Sequence, residues 1–230
     1  MVYILLFLSV FLGVFLAQFT QVKKHFDLFL TFSSSYLLGV VFYDLFPKIY
    51  LNDVEFNPIK GFFILFGVFI QVLLTSITQG IEHGHLHKSH DESSQKKGIY
   101  PYGMFLGLFF HEFLEGIPIM SDDYKLLRGM IVHKIPIAII LYLFLNKSLK
   151  SKKKVFFYIL LFALSTPLGS WLGQEFIPKE LGDYTLAFVS GVLIHIATHI
   201  LFERSDGRHR VKLSSLIVFL IGALLSYLFT

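Results

Sequence analysis

The sequence predicts an all-α integral membrane protein, a bundle of about eight transmembrane helices with both termini extracytoplasmic. Three observations carry that expectation. The 230 residues are 54% hydrophobic and only 16% charged, with a mean hydropathy of +0.66, too apolar for a water-soluble domain of this size. The apolar residues fall into eight runs, each near the ~20 residues that a helix needs to cross a bilayer. Lys and Arg are shared unevenly between alternate breaks, the pattern that orients a membrane protein.

The runs lie at about 3–19, 29–50, 60–81, 101–121, 127–146, 155–174, 184–203 and 213–229. The first, "VYILLFLSVFLGVFLAQF", has no basic segment before it and no clear small-x-small cleavage site, so it reads as a spanning helix and not as a secretory signal. The breaks are short except after the third run, where "IEHGHLHKSHDESSQKKGIYP" is polar and His-containing and reads as a loop. No soluble domain and no convincing internal repeat stands out. Residues 1–230 read as one transmembrane domain with this loop at about 82–100.

The first, third, fifth and seventh breaks hold Lys23, Lys24, Lys88, Lys96, Lys97, Lys147, Lys150, Lys152, Lys153, Lys154, Arg204, Arg208, Arg210 and Lys212, which is 14 of the 20 cations. The second, fourth and sixth hold Lys48, Lys60, Lys125, Arg128 and Lys179, which is five, and Lys134 falls inside a run. The excess marks the cytoplasmic side, which puts the His-containing loop inside and both termini outside. The outer breaks carry Asp53, Glu55, Asp122, Asp123, Glu175, Glu180 and Asp183, a surface of the sign that gathers cations. The net charge of +4 therefore reads as orientation, and nucleic acid is not an expected partner.

The chain has no cysteine, which excludes disulfides, thiolate metal sites and a cysteine nucleophile. Any metal would have to be held by His, Asp, Glu or carbonyl oxygens. Inside the runs, the fourth carries His111, Glu112 and Glu115 within "FFHEFLEGIPIM", and the fifth carries His133 and Lys134. Ionisable groups at membrane depth cost at least about 2.5–3.5 kcal/mol each on insertion scales, so each needs a partner, water or a function. His111 and Glu115 stand at i, i+4 on one helix face, whereas Glu112 is turned about 100° away. Two groups one turn apart suit a divalent cation, with His133 as a third ligand. Imidazole and carboxylate without thiolate favour a transition metal over a Ca²⁺ or Mg²⁺ oxygen cage. The plainer alternative is that the histidines bond carbonyls and Glu pairs with Lys to survive burial. Gly116, Pro118 and Pro136 either loosen the helices around these groups or serve as ordinary packing features.

Further candidates are accessory. His83, His85, His87 and His90 form a loop tract that could capture an emerging metal. His195 and His199, at i, i+4 on the seventh run, form either an internal relay or a packing pair. Asp44 and Glu203 lie near run ends, where long or charged side chains reach the interface at low cost.

Together these residues resemble the ZIP family of divalent metal transporters. His111, Glu115 and Gly116 match that family's His-x-x-x-(Glu/Asp)-Gly on the fourth span, and "HKIP" its fifth-span start. "FALSTPLGSWLG", "GVVFYDLFPKIY" and "FVSGVLIHIATHILFE" are similar to its sixth, second and seventh spans. The resemblance implies a metal pathway lined by the fourth and fifth spans and leading into the cytoplasm. Many members hold two metals there, and this chain departs from them. Glu112 takes the second polar position, Lys134 follows His133, Ile137 stands where a bridging carboxylate would lie, and Thr166 precedes Pro167. The resemblance thus implies one transport site, His111, Glu115 and His133, with Glu112 counted among the metal-site residues and Lys134 paired to it in the place of a second ion.

The expected function is transport of a divalent transition metal, zinc first with iron, manganese and cadmium as alternatives, and no cofactor. Partners are the metal ion and the lipid bilayer, with a homodimer left open, and the compact loops point to a bacterial plasma membrane. Two other readings stay in view: an intramembrane zinc-dependent hydrolase, since "HEFLE" is similar to the His-Glu-x-x-His helix of zinc proteases, and a metal sensor on the same scaffold.

Overall fold

The structure is a computed structural model, and it describes residues 1–19, 25–51, 57–78, 100–119, 124–202 and 213–229. Those residues form eight helices: α1 (Val2–Leu16), α2 (Phe26–Tyr50), α3 (Pro58–Thr78), α4 (Tyr100–Gly116), α5 (Tyr124–Ser148), α6 (Lys152–Phe176), α7 (Gly182–Phe202) and α8 (Leu213–Phe229). No strand occurs among the described residues. Each helix falls on one of the eight apolar runs. Five of them, α2, α3, α5, α6 and α7, are long and apolar enough to cross a membrane. Helices α1 and α8 are apolar but shorter; α1 stops at Leu16 although its apolar run continues to Phe19. The loop tract His83, His85, His87 and His90 lies outside the described residues, as does Glu203.

Side chains that would be exposed in water cover the outside of the bundle, including Phe62, Leu65 and Phe69 of α3 and Leu220 and Leu224 of α8. Such a surface is stable only against lipid or further apolar protein. Inside, helices approach closely where glycine removes the side chain. A Cβ on Gly116 of α4 would fall on the Thr166 carbonyl of α6, and one on Gly169 of α6 would fall on the Phe113 carbonyl of α4. Gly67 of α3 and Gly191 of α7 make the same kind of contact on the Phe188 and Ile64 carbonyls. Small residues at such crossings let dispersion contacts hold helices together where lipid supplies no hydrophobic drive.

Helix α1 packs on α5 and α6, α2 on α5, α7 and α8, α3 on α7, and α4 on α6 and α7. Exchanging helix 1 with 6, 2 with 7, 3 with 8 and 4 with 5 carries these pairs onto one another, while the contacts of α3 with α4 and of α5 with α6 have no counterpart of like extent. The order is present in the packing although no repeat stands out in the sequence. Under it the counterpart of α4 is α5, the two helices that carry the ionisable groups.

Candidate metal centre

Two apolar clusters fill the bundle. One includes Leu108, Ile137, Leu141, Phe162 and Ile196, the other Leu37, Val41, Ile119, Leu126 and Met130. On α4 the polar positions 111–115 fall between Leu108 and Ile119, and on α5 positions 133 and 134 fall between Met130 and Ile137. A polar layer therefore separates two apolar plugs. His111, Glu112, Glu115, His133, Lys134 and Thr166 are each no more than 2% exposed, so their partners must come from the protein or from an ion.

The layer divides into two neighbouring groups. In the first, His111 Nε2 lies 3.2 Å from Glu115 Oε1, and His133 Nε2 lies 4.0 Å from the same oxygen. These three residues offer one ligand atom each, all within 4.8 Å of one another. The i, i+4 spacing sets His111 above Glu115, and the crossing of α5 brings in His133. The two imidazoles meet edge to face, with ring centroids 6.1 Å apart. In the second group, Lys134 Nζ makes short contacts with Glu112 Oε2 and Thr166 Oγ1, and Thr166 Oγ1 donates to Glu112 Oε2 over 2.8 Å. The ammonium also stands 4.9 Å from the centre of the Phe162 ring, a favourable cation–π arrangement.

Sequence reasoning did not single out Gln71 and Ser33. Gln71 of α3 is fully buried, with its Oε1 3.3 Å from His111 Nδ1. Ser33 of α2 is also fully buried, with its Oγ 3.4 Å from His133 Nδ1 and 3.3 Å from the Val132 carbonyl. Pro136 lies inside α5 and has no N–H for the carbonyl four residues back, which is Val132. The Ser33 hydroxyl fills that place. A neutral amide and one serine in apolar runs gave little signal; Pro136, four residues after Val132, was the available one.

The remaining candidates lie apart from this layer. Asp44 of α2 is buried but pairs with Lys48 at 2.7 Å and with Lys125 of α5 at 3.7 Å. It sits in a π-helical turn, Val41–Leu45, just before Pro47, where the regular hydrogen-bond ladder is interrupted. His195 and His199 stack along α7 with ring centroids 5.5 Å apart and planes 14° apart. Among the described residues, His111, Glu115 and His133 form the group of three able to hold a metal ion.

Such a helical bundle, with spans long enough to cross a bilayer and a thiolate-free nitrogen and oxygen cluster buried between them, is a membrane protein equipped to hold a metal ion. The chain belongs to the ZIP zinc transporter family, whose sequence profile matches residues 78–230. Members of this family are divalent-metal transporters and not enzymes. The match takes in α4 to α8, and with them His111, Glu115 and His133, while α1, α2 and almost all of α3 precede it. Comparison with individual curated proteins gives no match.

Proposed function

We propose that this protein carries a divalent transition metal, zinc first, into the cytoplasm through one site made by His111, Glu115 and His133. The observation that carries the reading is the convergence of these three ligand atoms in a layer closed by apolar side chains on either side. Zinc bound at ~2.0–2.2 Å by such groups would set ligand atoms about 3.4 Å apart in a tetrahedral arrangement. The His111 to Glu115 spacing is already 3.2 Å. The ion would draw His133 inward.

Charge supports a single ion. Lys134 neutralises Glu112 in the second group, which leaves Glu115 with two neutral imidazoles to face the cation. In a medium of low dielectric, one divalent ion on one carboxylate leaves a smaller uncompensated charge than two ions would. The same pairing argues against hydrolysis, because Glu112 occupies the general-base position of a His-Glu-x-x-His helix and is held by Lys134 and Thr166. Acidic outer loops gather cations, the ion exchanges water for His111, Glu115 and His133, and relative movement of the helices opens the plugs in turn. The excess of Lys and Arg in alternate loops supports both termini outside, and the compact loops support a bacterial plasma membrane.

The test is Zn²⁺ influx into proteoliposomes of known orientation, comparing the parent with His111→Ala and Glu115→Ala after checking that each remains folded. Influx should vanish in both variants. Parental influx in either would remove the residue from the pathway. A parent that binds Zn²⁺ but moves none would be a sensor on a transporter scaffold.

A further inference from the structure

The two imidazoles of the proposed site share an arrangement. Each presents Nε2 toward Glu115, and each has its Nδ1 beside a neutral, fully buried side chain from a helix outside the α4–α5 pair. We propose that Gln71 and Ser33 are positioning residues that hold His111 and His133 with the proton on Nδ1 and the Nε2 lone pair facing the ion. The proposal rests on the reading of His111, Glu115 and His133 as the transport site. It extends the functional unit to α2 and α3, on which the family match does not draw.

The direction of the hydrogen bond between Ser33 and His133 follows from the partners of the serine. Ser33 has one proton, and the Val132 carbonyl, left without its helical donor by Pro136, is the acceptor beside it. With that proton committed, the serine oxygen can only accept from His133 Nδ1–H. Gln71 offers its carbonyl oxygen to His111 Nδ1, which gives the second ring the same tautomer. An acceptor there has a competitor to oppose, since Glu115 Oε1 lies 3.2 Å from His111 Nε2 and attracts a proton to the atom that must bind metal. Partners of this kind fix ring orientation and basicity at metal sites, and their loss typically lowers affinity 10- to 100-fold.

The experiment uses the full chain in nanodiscs, with Co²⁺ as a spectroscopic probe and histidine ¹⁵N labelling for the metal-free protein. Gln71→Leu and Ser33→Ala should each weaken Co²⁺ binding by about 10- to 100-fold and alter its visible absorption. Gln71→Glu and Ser33→Thr, which keep an acceptor, should recover most of the affinity. Leu and Glu are similar in volume, so a role in shape alone would not separate them. Without metal, His111 should carry its proton on Nδ1 in the parent and move it to Nε2 in Gln71→Leu. Should Gln71→Leu fail to fold, Gln71→Met makes the same comparison. Parental affinity and an unmoved His111 proton in the Gln71 variant overturn the role of Gln71, and parental affinity in Ser33→Ala overturns that of Ser33. His111→Ala separates this from failure of the underlying site. If His111→Ala abolishes Co²⁺ binding while the positioning variants do not weaken it, only the positioning role falls. Undiminished binding in His111→Ala brings down the site and the proposal together.

Discussion

Glu112 and Lys134 form a buried ion pair between α4 and α5, and each directly follows one of the two converging histidines, His111 and His133. Two adjacent dipeptides thus build two adjacent groups, one that faces a cation and one that contains its own. The helical rotation of about 100° per residue makes the separation: a neighbour in sequence points elsewhere, toward Thr166 and Phe162 on α6. Lys134→Ala should leave Glu112 charged and unpaired in a dry layer. Breaking a buried pair from one side costs about 3–5 kcal/mol, whereas replacing both partners by apolar groups is often neutral. The expected result is a marked drop in thermal midpoint for Lys134→Ala and recovery of most of it in Glu112→Leu/Lys134→Met. A midpoint unchanged in Lys134→Ala would show that the pair contributes no stability.

Glu115 is the one carboxylate of the first group, and both histidine Nε2 atoms approach its Oε1. Glu115→Gln keeps the size and an acceptor oxygen but removes the charge that offsets the cation. Zn²⁺ affinity should fall by at least about 100-fold, since charged partners are roughly twice as strong as neutral ones in hydrogen bonds and the Coulomb attraction in a dry site adds to that difference. Calorimetric titration in detergent measures it. A variant that binds as tightly as the parent would move the charge requirement away from Glu115.

Helix positions were legible because hydrophobic runs of spanning length leave little choice of structure in lipid. The ionisable set was legible because His and Glu are conspicuous at membrane depth, and the turn of a helix says which of them share a face. Which helices lie side by side was not: it depends on close glycine crossings such as Gly67 with Gly191, and apolar residues surround each of these in the sequence. Gln71 and Ser33 escaped notice for the same reason. A neutral side chain is informative only once its neighbour across the bundle is known. Asp44, conspicuous in the second run, proved to be matched by Lys48 and Lys125.

Gly116 ties the site to the scaffold. It follows Glu115, and a Cβ at this position would meet the backbone of Thr166, whose side chain holds the Glu112–Lys134 pair. Gly116→Val should force α4 away from α6, and overpacking of this kind typically costs about 1–3 kcal/mol. A lowered thermal midpoint together with weakened Zn²⁺ binding is expected, since both groups of the layer would shift. Loss of stability with parental affinity would mean that the site tolerates movement of α4 as a rigid body.

A proton balance follows from the ligand set. Two imidazoles and a carboxylate bind a metal only when deprotonated, so acid competes with the ion for the same lone pairs. The sign is fixed: lowering the pH weakens Zn²⁺ binding, and binding at constant pH releases protons. A weakly buffered titration begun at acidic pH, where the metal-free imidazoles carry a second proton, should record that release with a pH indicator in the parent and less of it in His133→Ala, which keeps His111 and Glu115 but has one fewer site to deprotonate. Proton release equal in the two proteins would place His133 outside the coordination of the ion.

The absence of cysteine gives a direct test of orientation, because any thiol introduced is the sole target of a maleimide within this chain. Lys150, between α5 and α6, and Glu180, between α6 and α7, are both exposed and stand at opposite ends of α6. The excess of Lys and Arg around Lys150 assigns that end to the cytoplasm. In intact cells Glu180→Cys should react with a membrane-impermeant maleimide, and Lys150→Cys should react only after permeabilisation. The reverse pattern would invert the bundle, place the His-containing loop outside, and turn the proposed influx into efflux through the same His111, Glu115 and His133 layer.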